Sequence, residues 1–264
     1  MSNTKPFHRN YRKMKSGPNS GYSDWAYIVA KEYSQNPEHY TRAFSIIQAD
    51  LIKLFEFIEP SDINLTTYSF RIHELLMRIC IEIEANFKAI LLENIYTPVY
   101  SGGRKQGQLR PEKEWNIDDF KIVNKSHHLD DYYVELPFWK GQKGKFRPFG
   151  NWAVGQPLTW YQAYNKSKHD RLNNFHEANM LNLLEAFSGL FVLLSSQFRT
   201  ESFATGGQSL GISTDSYFSG EFGLGGFLMV TFPDNWKDDE MYDFDWSQLK
   251  TQNNRFEKID FNNI

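Results

Sequence analysis

The chain has 264 residues, 41% of them hydrophobic and 23% charged, with a formal net charge of -3 from 29 Lys plus Arg against 32 Asp plus Glu. That balance fits one large or two small globular domains and excludes wholesale disorder, a disulfide scaffold and a globally basic nucleic-acid coat protein, while leaving room for a local basic site. The one excess is aromatic: 22 Phe, 14 Tyr and 7 Trp supply core bulk or flat surfaces for stacking.

Residues 1–23 carry Lys5, Arg9, Arg12, Lys13 and Lys15 among Gly, Ser, Pro and Asn, with no acid before Lys15 and no apolar run behind them. They read as a flexible basic arm and not as a secretory signal. A helical domain is expected over 24–200. From Asn36 and Pro37, a cap-like pair, apolar residues recur at Tyr40, Phe44, Ile47, Leu51, Leu54, Phe55 and Ile58, which predicts a helix over 37–59 ended by Pro60. A second is predicted over 66–96, with Ile72, Leu76, Ile79, Ile83, Phe87, Ile90 and Leu91 on one face and Glu74, Arg78, Glu82, Glu84 and Lys88 spaced for i,i+4 pairs on the other. Its Cys80 is the only cysteine, which removes intrachain disulfides and multi-cysteine metal sites and suits a reducing cytoplasm.

The helical period disappears over 97–156, where Gly, Lys, Arg, Pro and aromatics dominate. Sixty residues are too many for a plain loop, so an insertion with short strands or a small lobe outside the helical core is expected. Its two basic pieces place Arg104, Lys105 and Arg110 in the first, and Lys140, Lys143, Lys145 and Arg147 beside Trp139 and Phe146 in the second. Cations interleaved with rings suit a single-stranded nucleic acid, whose backbone they hold and whose bases they stack. Adjacent His127 and His128, followed by Asp130 and Asp131, diverge along the backbone and lack the i+4 ligand of a helical metal site, so no metal is expected. Helices are then predicted over 157–173 and 175–199, the second at the centre of a four-helix bundle. Asn182, Glu185, Ser188 and Gly189 interrupt its apolar run, so no membrane span is expected and the chain is read as cytoplasmic. Residues 201–264 form a Gly-punctuated, loop- and strand-rich C-terminal extension ending in acidic aromatic sequence.

The stretch TWYQAYNKSKHDR is the most informative. On a helix, Asn165, Lys168 and His169 share one face, offset by three and four residues. They bring together an amide, an ammonium with no obvious acid to quench it, and an imidazole whose ordinary pKa of about 6.5 suits proton transfer near neutrality. Asn and Lys can orient or neutralise a phosphate oxygen.

Asn165-x-x-x-His169 on the third long helix resembles the second half of the R-N-x-x-x-H motif of the HEPN superfamily. The mixed-charge helix over 73–91 resembles the one that packs beside that motif, and W-Y-Q-A-Y-N-K-S-K-H-D-R with the late Y-D-F-D-W (Tyr242 to Trp246) resembles segments of uncharacterised bacterial HEPN-like proteins. The resemblance covers residues 36–200. It implies a mostly α, HEPN-like four-helix bundle, often a homodimer with two motifs across one cleft. It also implies a metal-independent endoribonuclease without cofactor, with RNA as substrate, in anti-phage defence or a toxin system and with a possible partner protein from a defence or toxin–antitoxin operon. Carried over by position, His169 is the acid/base residue and Asn165 its polar support. Tyr164 stands where the family has arginine, and a phenol is no bidentate phosphate clamp, so the charge falls to Lys168 or Arg171. That departure keeps a second reading open, a catalytically inactive HEPN-like module that binds protein or nucleic acid.

Overall fold

Four long helices form where the three-and-four apolar spacing is strongest: α1 (Pro37–Phe55), α2 (Phe70–Glu93), α3 (Thr159–His169) and α4 (Met180–Phe198). The structure, a computed structural model, describes residues 3–203 and 220–264. Ser69 starts α2 by accepting from the Ile72 amide at 3.2 Å, and Asn179 starts α4 by accepting from the Asn182 amide at 3.1 Å, each satisfying a free helix-end donor. Asn36 sits at the start of α1 in a left-handed conformation and makes no capping bond. α2 and α4 run parallel as the central pair: Leu65 and Thr67 receive the amides of Leu181 and Met180 at one end, and Gln197 donates to Asn86 at the other. α1 and α3 flank them in the opposite direction, α1 through Arg78 to Asp50 at 2.6 Å and α3 through Tyr161 to Glu84 at 3.0 Å.

Ile79, Ile83, Leu184 and Leu190, from the predicted stripes, are all buried. α4 is apolar on nearly every side because neighbours surround it. By length and composition it could cross a membrane, yet most of it is buried within the fold, as a central core helix must be. The predicted charge ladder on α2 is spent otherwise: Arg78 reaches Asp50 on α1 and Glu84 receives the Tyr161 hydroxyl. Glu74 pairs within the helix, but with Arg71 three residues before it and not with Arg78.

Two expectations need correction. The 97–156 insertion does contain short strands, β1 (Tyr133–Glu135) and β2 (Lys145–Phe146), but it does not lie outside the core. Phe120 stacks on Phe87 of α2 with ring centroids 5.2 Å apart, Phe149 meets Phe87 edge-on, and Val123, Leu129, Tyr132 and Trp152 are buried with them. The C-terminal segment adds β3 (Glu221–Phe222) and β4 (Met229–Thr231), completing an antiparallel sheet of order β2-β1-β4-β3 in which buried Val134 pairs with both Phe146 and Val230. Insertion and extension therefore make one layer. The Gly-rich stretch over 204–219 lies outside the described residues.

The N-terminal segment is likewise no flexible arm over residues 7–12. The Tyr11 amide donates to the Ser196 carbonyl at the end of α4, and Tyr242 receives the Phe7 amide while donating to the Asn10 carbonyl. Tyr27 packs edge-on against Tyr33, Tyr242 and Phe244, so the alternate aromatics of the late Y-D-F-D-W segment help hold the N-terminal segment against the helices. Arg9 is 0% exposed: its guanidinium meets Glu93 at 2.5 Å, Gln197 at 2.9 Å and the Gln35 carbonyl at 2.6 Å. A basic residue in a polar sequence hides its core role because its partners are 26 to 188 positions away.

His127 lies buried beneath this segment, its Nε2 at 2.8 Å from the Arg9 carbonyl and its Nδ1 at 2.8 Å from Ser126 Oγ. Burial, the largest cause, pushes its pKa down to about 3. Between pH 6.5 and 3 the unfolded chain protonates this imidazole while the folded chain does not. The unfolded state thus binds more protons and stability falls as the pH drops through that window; above it, His127 adds no pH dependence. The expected loss is roughly 1 kcal/mol per pH unit below the unfolded value. Urea unfolding at pH 7 and pH 5 should show a steeper loss for the wild type than for His127→Asn, and equal slopes would contradict this assignment.

Candidate functional site

α3 is built two-faced. Trp160, Tyr161, Ala163, Tyr164 and Ser167 are buried against α2 and α4, with the Trp160 indole donating to the Pro148 carbonyl at 2.8 Å. Asn165 is half-buried and Lys168 and His169 are exposed at the C-terminal end. Among the described residues no hydrogen bond or ion pair engages the Asn165 amide or the His169 imidazole. Lys168 is positioned: its ammonium donates to the Tyr164 hydroxyl at 3.1 Å and lies 5.0 Å from that ring's centroid. That hydrogen bond is the main cause raising the Lys168 pKa, so the ammonium stays charged at neutral pH.

The sequence expectation that Lys168 has no acid near it needs amendment. Glu84 on α2 adds a favourable field to Lys168, but its carboxylate accepts the Tyr161 hydroxyl, and Lys168 forms no ion pair among the described residues. Burial drives the Tyr161 pKa upward and the Cys80 thiol well above its usual value, leaving both protonated. Cys80 is therefore an inert part of the packing. Tyr164 is 2% exposed, so its side chain offers no surface to a phosphate and acts only through Lys168.

The helix stops at His169, four residues before the predicted end. Asp170 leaves helical geometry and its carboxylate accepts from the Asn173 amide, starting a separate turn over Arg171–Asn174. Short polar side chains that bond their own backbone favour such breaks. Beyond the break the Arg171 guanidinium lies over the Phe70 ring at 5.7 Å. Asn165, Lys168 and His169 thus remain together at the end of α3, while Tyr164 is below them and Arg171 beside them.

The two basic pieces of the insertion do not form one surface. The first is held near the C-terminal end of α2, where Arg110 pairs with Asp119 and Asp119 receives the Tyr96 hydroxyl. The second is tied to the loop before α2: the Lys140 amide donates to Pro60, and Asp62 receives the Trp139 indole and the amides of Gln142 and Lys143. Gly141 is required there, with φ +132 and a Cβ that would fall 2.3 Å from Asp62. The Lys140–Lys143 loop is thus held before the start of α2 and Arg110 beyond its end, 24 residues or about 36 Å of helix away, while Arg147 sits apart from that loop beside Asp131. Several cations are also spent internally: Lys140 on Glu59 at 2.5 Å, Arg147 on Asp131 at 3.0 Å. Lys105 lies over Tyr100, and Lys145 and Arg147 over Tyr133. Arg104, Lys143 and Lys145 are exposed and form no ion pair among the described residues.

His127 and His128 diverge: His127 points into the core, while His128 stacks on Trp236 at 4.1 Å with Glu240 3.4 Å away. Among the described residues no group of three or more His, Cys, Asp and Glu side chains is arranged to hold a metal. A cleft of about 230 Å³, lined by residues including Lys121, Trp152, Tyr161 and Gln162, lies toward the start of α3 and away from His169. The cluster that sequence reading missed is aromatic. Tyr68, Phe70 and His73 surround Phe175, next to the turn that carries Arg171. Its only sequence signal was the ring excess, because its members come from the start of α2 and the α3–α4 connection. No protein-family model, curated protein or solved structure matches this chain.

Proposed function

We propose that the chain is an HEPN-like, metal-independent endoribonuclease of bacterial anti-phage defence or a toxin system, acting in the cytoplasm with the end of α3 as its reactive face. One observation carries the reading: half-buried Asn165 and exposed Lys168 and His169 share the end of α3, with the ammonium held by Tyr164 and the imidazole without a partner among the described residues. An unpaired imidazole beside a fixed cation is suited to phosphodiester chemistry. His169 takes the proton from a ribose 2′-hydroxyl as its oxygen bonds to the adjacent phosphorus. The P–O5′ bond breaks, the leaving oxygen gains a proton, and the strand ends in a 2′,3′-cyclic phosphate and a 5′-hydroxyl. Lys168 neutralises charge building on the phosphoryl oxygens, and Asn165 orients one of them. A homodimer would supply a second imidazole as the acid for the leaving oxygen, and a partner protein from the same operon would act as inhibitor or trigger.

The buried Tyr164 at the arginine position favours a second reading, a catalytically silent module that binds RNA or a partner protein. Incubating the purified chain with mixed RNA separates the two. The nuclease reading expects cleavage that survives EDTA and leaves cyclic phosphate ends. RNA left intact with the operon partner present, or cleavage that needs a divalent metal, would discard it.

A further inference from the structure

Phe70 is the first residue of α2 and is 69% exposed, with Tyr68 beside it at 52%. Neither ring is needed to fill the core, yet both are held in place. Phe175 supports them from below, its centroid 4.7 Å from Phe70 and 5.7 Å from Tyr68, and Phe175 in turn rests against His73. Arg171 lies against the Phe70 ring at 5.7 Å. The result is an outward-facing pair of rings, backed by Phe175, with a guanidinium over the Phe70 ring.

This platform adjoins the reactive face. Arg171 is two residues beyond His169, so their Cα atoms are at most about 7 Å apart. The acids around it are already engaged: Asp170 with Asn173, Glu177 with Lys166 at 2.8 Å, and Glu74 with Arg71 at 2.9 Å. Arg171 itself forms no ion pair among the described residues. Resting on the nuclease reading, we infer that the Tyr68–Phe70 platform stacks a nucleobase of single-stranded RNA next to the phosphate held at His169, with Arg171 on the intervening backbone. Charge selects this occupant: Arg171, which forms no ion pair among the described residues, borders the Phe70 ring, and a cation beside a ring suits an aromatic group carried on a phosphodiester chain. Duplex RNA buries its base faces inside the helix and cannot offer them to a ring, so the inferred substrate is a loop or unpaired segment.

The test measures binding of a fluorescent oligouridine in the His169→Ala background, where no cleavage interferes. Phe70→Ala should weaken binding roughly 5- to 150-fold, the range that losing one base–aromatic stack gives, and Phe70→Trp should restore it. An abasic ribose-phosphate oligomer of equal length should bind both proteins alike. Equal oligouridine binding by both proteins would overturn the platform, as would an equal loss on the abasic oligomer or a Phe70-dependent protein partner without RNA affinity. The two readings fail separately. RNA cleavage with a KM untouched by Phe70→Ala removes the platform alone, whereas intact RNA with base-dependent binding still lost in Phe70→Ala removes the nuclease alone.

Discussion

Under the proposed nuclease function, changing His169 to Ala is expected to lower RNA cleavage by roughly 10²- to 10⁴-fold, the contribution typical of a positioned acid or base, while leaving the urea midpoint unchanged. The imidazole is exposed at the last turn of α3 and supports no packing, so its removal falls among surface substitutions worth within about 0.5 kcal/mol of stability. A structural role would show the opposite pattern, with stability and activity falling together. Tyr164→Phe tests the neighbouring cation. The ring keeps its packing while Lys168 loses the hydroxyl that positions it, so activity should fall less than with His169→Ala. Tyr164→Arg, the change that would complete an R-N-x-x-x-H pattern, is a poor rescue because it drives a guanidinium into a site only 2% exposed. Gel analysis of mixed RNA with end-group mapping reads all three variants, and undiminished cleavage by His169→Ala would remove this residue from the mechanism.

Arg9→Met is expected to cost about 3 to 5 kcal/mol, because it leaves the Glu93 carboxylate uncompensated in a nearly closed site and strips donors from Gln197 and the Gln35 carbonyl. Against the usual 5 to 15 kcal/mol of total stability this is a large fraction. The loss should appear as a drop in the urea midpoint and as faster proteolysis of the N-terminal segment. A mobile basic arm would instead tolerate the change within about 0.5 kcal/mol. Pairing Arg9→Met with Glu93→Leu should recover part of the loss, since an apolar pair no longer buries a lone charge. The cation also lies over Tyr40 at 4.6 Å and Phe198 at 5.6 Å, so Met retains some of the packing but none of the charge.

The sequence by itself determined the four helices and their buried faces. Apolar spacing at three and four is a local property, and Phe44, Ile79, Ile83 and Leu184 are buried as their positions require. Asn165, Lys168 and His169 were legible for the same reason, since a helix of any fold puts those offsets together. Helix ends were less so: Asp170 stops α3 through a bond to a backbone amide three residues ahead, where the apolar pattern alone would have run on. What only the tertiary structure decided depends on partners distant in the chain. It packs Arg9 as a core residue, joins the insertion to the C-terminal strands in one sheet and spends Lys140 and Arg147 on nearby acids. It also assembles Tyr68, Phe70, Phe175 and Arg171 from segments more than 100 residues apart in sequence. Charge and ring chemistry are fixed by residue type, but whether a cation is free or a ring is covered depends on which segments meet, and no local spacing encodes that.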